Sequence, residues 1–245
     1  MRKFGLIGFP LGHSFSKRFF TAKFETEKID ARYDLYELQN ISEFSDLINN
    51  QELSGLNVTI PYKEKVIPFL DELDDTAAKI GAVNVIKFIR TSGELKLKGY
   101  NSDATGFESS LRPFLKPYHT KALILGTGGA SKAIDYVLRK NGISTDFVSR
   151  RVGAGTYTYS DLNREILLEH KLIVNASPVG TFPHSDECPE IPYEFLTPEH
   201  LLFDVVYNPA ETLFMKKGVE RGATSLNGEG MLNGQAVAAW EIWNA

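Results

Sequence analysis

The chain has 245 residues, enough for a well-buried core and for one or two domains. With 42% apolar residues, 24% charged residues and a net charge of −4, it has ordinary globular composition and gives no reason to expect nucleic acid or an anionic membrane as partner. The lone cysteine, Cys188, excludes an internal disulfide and fits a reducing cytoplasm, and no apolar run reaches the roughly 18 residues that span a bilayer.

Met1-Arg2-Lys3 followed by FGLIGFPLG imitates a signal peptide, but glycine and proline break the apolar run and no small-residue cleavage site follows. Phe4 to Phe9 is therefore read as a buried first strand leading into the loop LGHSFS. Ser14 and Ser16 precede a helical stretch, Lys17 to Lys28, in which Phe20 and Phe24 lie one turn apart. One serine serves as N-cap in this reading. Together with His13 and the helix-start amides, the two hydroxyls form a cradle suited to a carboxylate, against the plainer alternative of capping alone.

Residues 31 to 38 alternate like a strand through Tyr33 and Leu35, and Ser42 to Asn49 has helical spacing. Leu56 to Ile60 is the next strand, with Asn57 and Thr59 on one face, and Pro61 ends it. Lys63 follows two residues later. The order β-α-β-α-β favours parallel pairing, and ligands of open α/β sheets gather at the carboxyl ends of the strands, where Lys63 would stand. Glu64 to Leu73 reads as helical with a break at Pro68, and Asp74 or Asp75 caps a helix ending near Gly81. Val83 to Ile89 and Leu95 to Lys98 flank TSGE as a hairpin at a sheet edge. Asn84 in this apolar run is either a satisfied core amide or a ligand contact. A helix starts just after Asp103, which is either its cap or a carboxylate partner for Lys63.

Pro113 and Pro117 mark a change of character. Ala122 to Leu125 is a strand running into Gly126-Thr127-Gly128-Gly129-Ala130-Ser131 and then an amphipathic helix. Strand, glycine turn and helix form a dinucleotide-binding pattern in which backbone approaches a pyrophosphate. Ser131 replaces the third glycine. After the next strand, Thr145 to Val148, the acidic residue of NAD-binding folds is absent and Ser149-Arg150-Arg151 stands instead. Two guanidiniums suit a 2′-phosphate, so NADP(H) is the expected cofactor.

Leu172 to Asn175 and Leu201 to Val206 are further strands ending in NASPVG and YNPAET, which sets Asn175, Ser177 and Tyr207 on the cofactor face. His184, Asp186 and Cys188 crowd one loop, but the five histidines include no H-x-x-x-H pair, and no metal is expected. Thr224 to Asn227 is a short strand, and Met231 to Trp243 a helix entered through Gly228, with Leu232, Ala236, Ala239, Trp240 and Trp243 as its apolar stripe.

These motifs, in this order from Gly5 to Gln235, resemble the shikimate dehydrogenase family. The resemblance implies two α/β domains, an N-terminal substrate domain with a mainly parallel sheet and a Rossmann-type NADP-binding domain, with a cleft between them. It implies residues 1–107 plus 228–245 for the substrate and catalytic domain and 108–227 for the nucleotide domain. HSFS implies Ser14 and Ser16 at the substrate carboxylate. NVTIPYK implies catalytic Lys63 with Asn57 and Thr59 as substrate contacts, GAVN implies Asn84, and NSDATGF implies Asp103 as catalytic partner of Lys63. GTGGAS and SRR imply Gly126, Gly128, Gly129, Ala130, Ser149, Arg150 and Arg151 at the cofactor, joined by Asn175, Ser177, Gly228 and Met231. Tyr207 and Gln235 are implied on the substrate. The activity implied is NADPH-dependent reduction of 3-dehydroshikimate to shikimate by a cytoplasmic monomer or homodimer whose partner is a small-molecule substrate. The alternatives are a broader quinate/shikimate dehydrogenase and a non-catalytic shikimate-sensing module. Lys17, where the family commonly has proline, and Gly234, where it commonly has tyrosine, depart from the pattern.

Overall fold

The computed structural model describes every residue except 13, 51, 154 and 155 and the side chain of Asn50. Over these the chain falls into two units, residues 1–102 with 235–245 and residues 103–234.

In the first unit the chain runs β1 (Arg2–Gly8), α1 (Phe15–Thr26), β2 (Ala31–Glu37), α2 (Glu43–Asn50), β3 (Leu53–Val58), β4 (Glu72–Leu73), α3 (Asp75–Ile80), β5 (Val85–Thr91) and β6 (Glu94–Tyr100). The sheet order is β2-β1-β3-β5-β6-β4. β1 pairs in parallel with β2 and β3, as the β-α-β-α-β order requires, while β5 pairs antiparallel with β3 and β6. The hairpin turns through Ser92 and Gly93, both at positive φ, the conformation that matches the twist of two-residue hairpins. β4 then covers the β6 edge.

Two segments differ from expectation. Glu64 to Leu73 forms turns, a 3₁₀ turn at Ile67–Phe69 and the short β4, because Pro68 removes a helical donor and Asp71 instead accepts the Leu97 amide at 2.7 Å. β3 ends at Val58, although the Thr59 amide still bonds the Ile7 carbonyl of β1 at 2.9 Å and Pro61 follows two residues later. Asp74 is the cap of α3, accepting from Ala77, and Gly81 ends that helix at φ +70°.

The second unit begins inside α4 (Ser102–Leu111) and continues β7 (Lys121–Leu125), α5 (Gly129–Lys140), β8 (Ser144–Ser149), β9 (Tyr157–Thr158), α6 (Arg164–Glu169), β10 (Leu172–Asn175), β11 (Leu201–Asp204), α7 (Leu213–Val219), β12 (Thr224–Leu226) and the start of α8 (Glu229–Asn244). Its sheet is parallel throughout, in the order β12-β11-β10-β7-β8-β9. That is the doubly wound dinucleotide-binding order, with β7 as first strand and its switch point between β7 and β10. Short β9, α6 and α7 carry too few periodic residues to stand out in the sequence. No helix among the described residues is long and apolar enough to cross a membrane.

The last turns of α8 return to the first unit. Ala236, Ala239 and Trp243 are buried there with Phe4, Phe20 and Phe24, the stripe read from the sequence. Trp243 donates its indole N–H to the Ile86 carbonyl at 3.1 Å and lies over Gly55, where any Cβ would collide with the ring. The missing side chain at Gly55 is what lets this helix seat on the sheet.

Candidate active site

In the first unit, the polar residues read from the sequence gather around the carboxyl ends of β1 and β3. Ser14 is the N-cap of α1, its hydroxyl oxygen accepting from the Lys17 amide at 3.2 Å. A cap of this kind still leaves the hydroxyl proton to donate. The loop before it is tied down by Glu37, whose carboxylate accepts the Leu11 amide at 2.6 Å. His13 lies outside the described residues.

Behind this loop a buried chain of hydrogen bonds runs across the sheet. The Tyr33 hydroxyl donates to Asn57 Oδ1 at 2.7 Å. Asn57 Nδ2 faces the Asn84 carbonyl at 3.3 Å. Asn84 in turn donates to Ser102 Oγ at 3.0 Å and accepts the Ser102 amide at 2.7 Å. Burial holds the Tyr33 phenol well above its usual range, with Ser16 opposing, so Tyr33 is a neutral donor throughout the working range. Both ends of the buried Asn84 amide are thus hydrogen-bonded, which offsets the cost of burying it.

Lys63 is set on the turn after β3. The Tyr62 amide closes on the Thr59 carbonyl at 2.9 Å, the Tyr62 hydroxyl donates to the Leu38 carbonyl, and the Val83 amide donates to the Lys63 carbonyl at 2.7 Å. Backbone on both sides of Lys63 is therefore anchored, and its side chain is half-buried. Asn101 braces the other end, donating to the Ala82 carbonyl at 2.9 Å. α4 starts at Ser102 and not after Asp103, because Asn84 takes the Ser102 amide; Asp103 is a buried residue of the first turn and not the cap. Gln235 is buried in the part of α8 that belongs to the first unit, and Thr59 is half-buried just past the end of β3.

In the second unit, β7 ends at Gly126, at φ +107°, where a Cβ would press on Ala176 and Ser177. Gly128 is the N-cap of α5 and offers no side-chain acceptor to the first-turn amides. A Cβ at Gly128 would meet nothing within 4 Å. Protein packing therefore does not demand glycine here, and the space in front of the helix amides is open. Ser131, in place of a third glycine, is buried and returns its hydroxyl to the Gly128 carbonyl. Gly129 and Ala130 begin the helix between them.

At the end of β8, Ser149 is buried and its hydroxyl accepts the Arg151 amide at 3.1 Å, which fixes the start of the arginine loop. Arg150 and Arg151 are exposed, and among the described residues neither forms an ion pair with a carboxylate. This end of the sheet thus presents two guanidiniums beside a glycine turn and a helix N-terminus, a donor set for phosphate.

Beside them lies a buried acidic knot. Asp204, at the end of β11, accepts from Asn175 Nδ2 at 2.9 Å, from the Val206 amide at 3.0 Å and from the Thr212 hydroxyl at 2.6 Å. Asn175 also accepts from the Ser177 amide and hydroxyl. Burial pushes the Asp204 carboxyl up to about 6, against these three bonds. Because Asp204 takes the Val206 amide, β11 ends two residues earlier than its apolar run. Tyr207 is exposed beyond it and Met231 is buried in α8. Gly228 is fixed by backbone: a Cβ there would lie 2.1 Å from the Val205 carbonyl oxygen.

Tyr33, Ser102, Asp204 and Thr212 escaped the sequence reading. Tyr33 alternated like any core residue, although a tyrosine on the inner face of a strand signals a hydroxyl that needs a buried partner. His184 and Glu187 stand 3.8 Å apart on an exposed loop, and no group of three or more His, Cys, Asp or Glu among the described residues could hold a metal ion.

A family model described as the shikimate dehydrogenase substrate binding domain matches residues 6–86. Over 264 aligned positions the chain is 35% identical to shikimate dehydrogenase (NADP(+)) of Desulforamulus reducens, covering 98% of this chain and 88% of that one. The chain belongs to the shikimate dehydrogenase family. Among solved structures of that fold, shikimate 5-dehydrogenase from Thermus thermophilus, in complex with NADP(H) and shikimate, superposes with a TM-score of 0.86 at 28% identity, covering 99% of this chain and 93% of that one. The family fold is also used on another substrate: 5-ketofructose reductase of Gluconobacter superposes with a TM-score of 0.83 at 29% identity, over 99% and 92% of the two chains. The two-domain α/β architecture, with a Rossmann-type nucleotide domain, is that of the family.

Proposed function

We propose that this protein is an NADP-dependent shikimate dehydrogenase, which reversibly reduces 3-dehydroshikimate to shikimate in the cytoplasm, on the route to aromatic amino acids. The observation that carries the reading is the near-full-length likeness to enzymes of that name, one of them solved with both NADP(H) and shikimate. Residues 1–107 with 228–245 are assigned to substrate and catalysis, and residues 108–227 to the dinucleotide.

The residues present fit NADP(H). Gly126, Gly128, Gly129 and Ala130 would receive the pyrophosphate, supported by the open space at the Gly128 Cβ position. Ser149, Arg150 and Arg151 would hold the 2′-phosphate, with Asn175, Ser177, Gly228 and Met231 completing the cofactor contacts. Bound there, the nicotinamide supplies a hydride to the substrate ketone.

The chain's own groups supply the rest. Ser14 and Ser16 hold the substrate carboxylate, supported by the hydroxyl proton that Ser14 retains as a cap. Asn57, Thr59, Asn84, Tyr207 and Gln235 orient the ring hydroxyls. The Lys63 ammonium polarises the carbonyl and delivers one proton to its oxygen as the hydride reaches carbon, so that ketone plus hydride plus proton gives the secondary alcohol. Asp103 is its catalytic partner. The anchored backbone at Lys63 serves this role, since an acid must be held within hydrogen-bond reach of one oxygen.

The test is nicotinamide absorbance with purified protein, crossing NADP⁺ and NAD⁺ against shikimate and quinate. Oxidation of shikimate with NADP⁺, faster than any other pair, is expected. Preference for quinate would support the broader polyol dehydrogenase, and binding of shikimate without turnover would support the sensing module.

A further inference from the structure

Tyr33 belongs to none of the motifs that carry the family resemblance, yet its hydroxyl bonds Asn57, a residue assigned to the substrate. The ring is 3% exposed and stacks on Phe20, with centroids 4.9 Å apart and planes 14° from parallel. Its one proton goes to Asn57 Oδ1 at 2.7 Å. The Asn57 amide is then locked. Reversed, it would turn Nδ2 toward the Tyr33 proton and set its own carbonyl against that of Asn84.

We propose that Tyr33 is a positioning residue for substrate recognition: it fixes the orientation of the Asn57 amide. The inference rests on the proposed function, in which Asn57 binds substrate. With Oδ1 held by Tyr33 and Nδ2 by the Asn84 carbonyl, the amide keeps one orientation toward the substrate.

The experiment compares wild type, Tyr33→Phe, Asn57→Ala and the double variant in steady-state oxidation of shikimate. Tyr33→Phe keeps the ring on Phe20 and removes only the hydroxyl. It should raise the KM for shikimate about tenfold, leave kcat within about threefold and leave the KM for NADP⁺ unchanged. The double variant should fall well short of the product of the two single effects. An unchanged shikimate KM, an equal rise in both KM values, or multiplying effects would overturn the proposal. If Tyr33→Phe does not fold, side-chain amide NMR of the wild type reads the same link: a rigid Asn57 amide with and without shikimate supports it, and a flipping one overturns it. Wild type that does not turn over shikimate removes the functional reading itself, whereas active wild type with an indifferent Tyr33→Phe removes only the role of Tyr33.

Discussion

Asn84 grips Ser102 at two points, donating to its hydroxyl at 3.0 Å and accepting its backbone amide at 2.7 Å. The residue before Asn84, Val83, holds the Lys63 carbonyl, and the residue after Ser102 is Asp103. One buried amide thus spaces the backbone positions of both proposed catalytic residues. Ser102→Ala removes one of the two bonds. It should lower stability by about 1 kcal/mol in urea titration and reduce kcat with shikimate while the KM for NADP⁺ stays put. A variant as active as wild type would show that the spacing does not depend on that bond.

The arginine loop tests the cofactor. Replacing Arg150 and Arg151 together with Ala should raise the KM for NADP⁺ by roughly 10- to 100-fold and leave the KM for NAD⁺ nearly unchanged, since charge-assisted bonds to a phosphate are worth about 1.5–3 kcal/mol. Equal effects on both cofactors would point away from a 2′-phosphate site.

Gly128 separates folding from binding. A side chain there has room, and aspartate is a good N-cap, so Gly128→Asp should leave the melting temperature unchanged or slightly higher. The same carboxylate would repel a pyrophosphate, and NADPH binding followed by fluorescence should weaken by about 100-fold. Unaltered binding would mean that the dinucleotide does not cross this turn.

Asp204 predicts a pH dependence. Its folded-state value, about 6, lies above the ordinary 3.8, so between those values the folded protein binds more protons than the unfolded chain. Its contribution is therefore most favourable below pH 3.8 and is lost as pH rises through 6. Asp204→Asn removes this titration. Relative to wild type, the variant should gain about 1 kcal/mol between pH 5 and pH 7.5 in denaturant titrations. A difference that does not change with pH would place the carboxyl at its ordinary value.

Much of this arrangement was legible in the sequence because it is written in local chemistry. Asp74 and Gly81 bound α3, the turn at Ser92-Gly93 made the hairpin, and the apolar stripe of α8 announced a docked helix. The residues proposed for substrate and cofactor surfaced in loops following strands. What stayed hidden depends on partners distant in the chain. Asp71 draws the Leu97 amide and turns a charged, helical-looking stretch into a 3₁₀ turn and a short strand. Tyr33 became visible only once Asn57 met its hydroxyl, and Asp204 only once Asn175 and Thr212 closed on it. Side chains whose roles are set by tertiary bonds leave no periodic trace.

The most direct test of the account is turnover by Lys63→Ala, followed by nicotinamide absorbance with NADP⁺ and shikimate beside wild-type protein. Lys63 is half-buried, and the backbone bonds on either side of it do not involve its side chain, so the variant should fold normally. A loss of about 10²-fold or more in kcat with NADP⁺ binding retained is expected. A folded variant that oxidises shikimate at near the wild-type rate would contradict it.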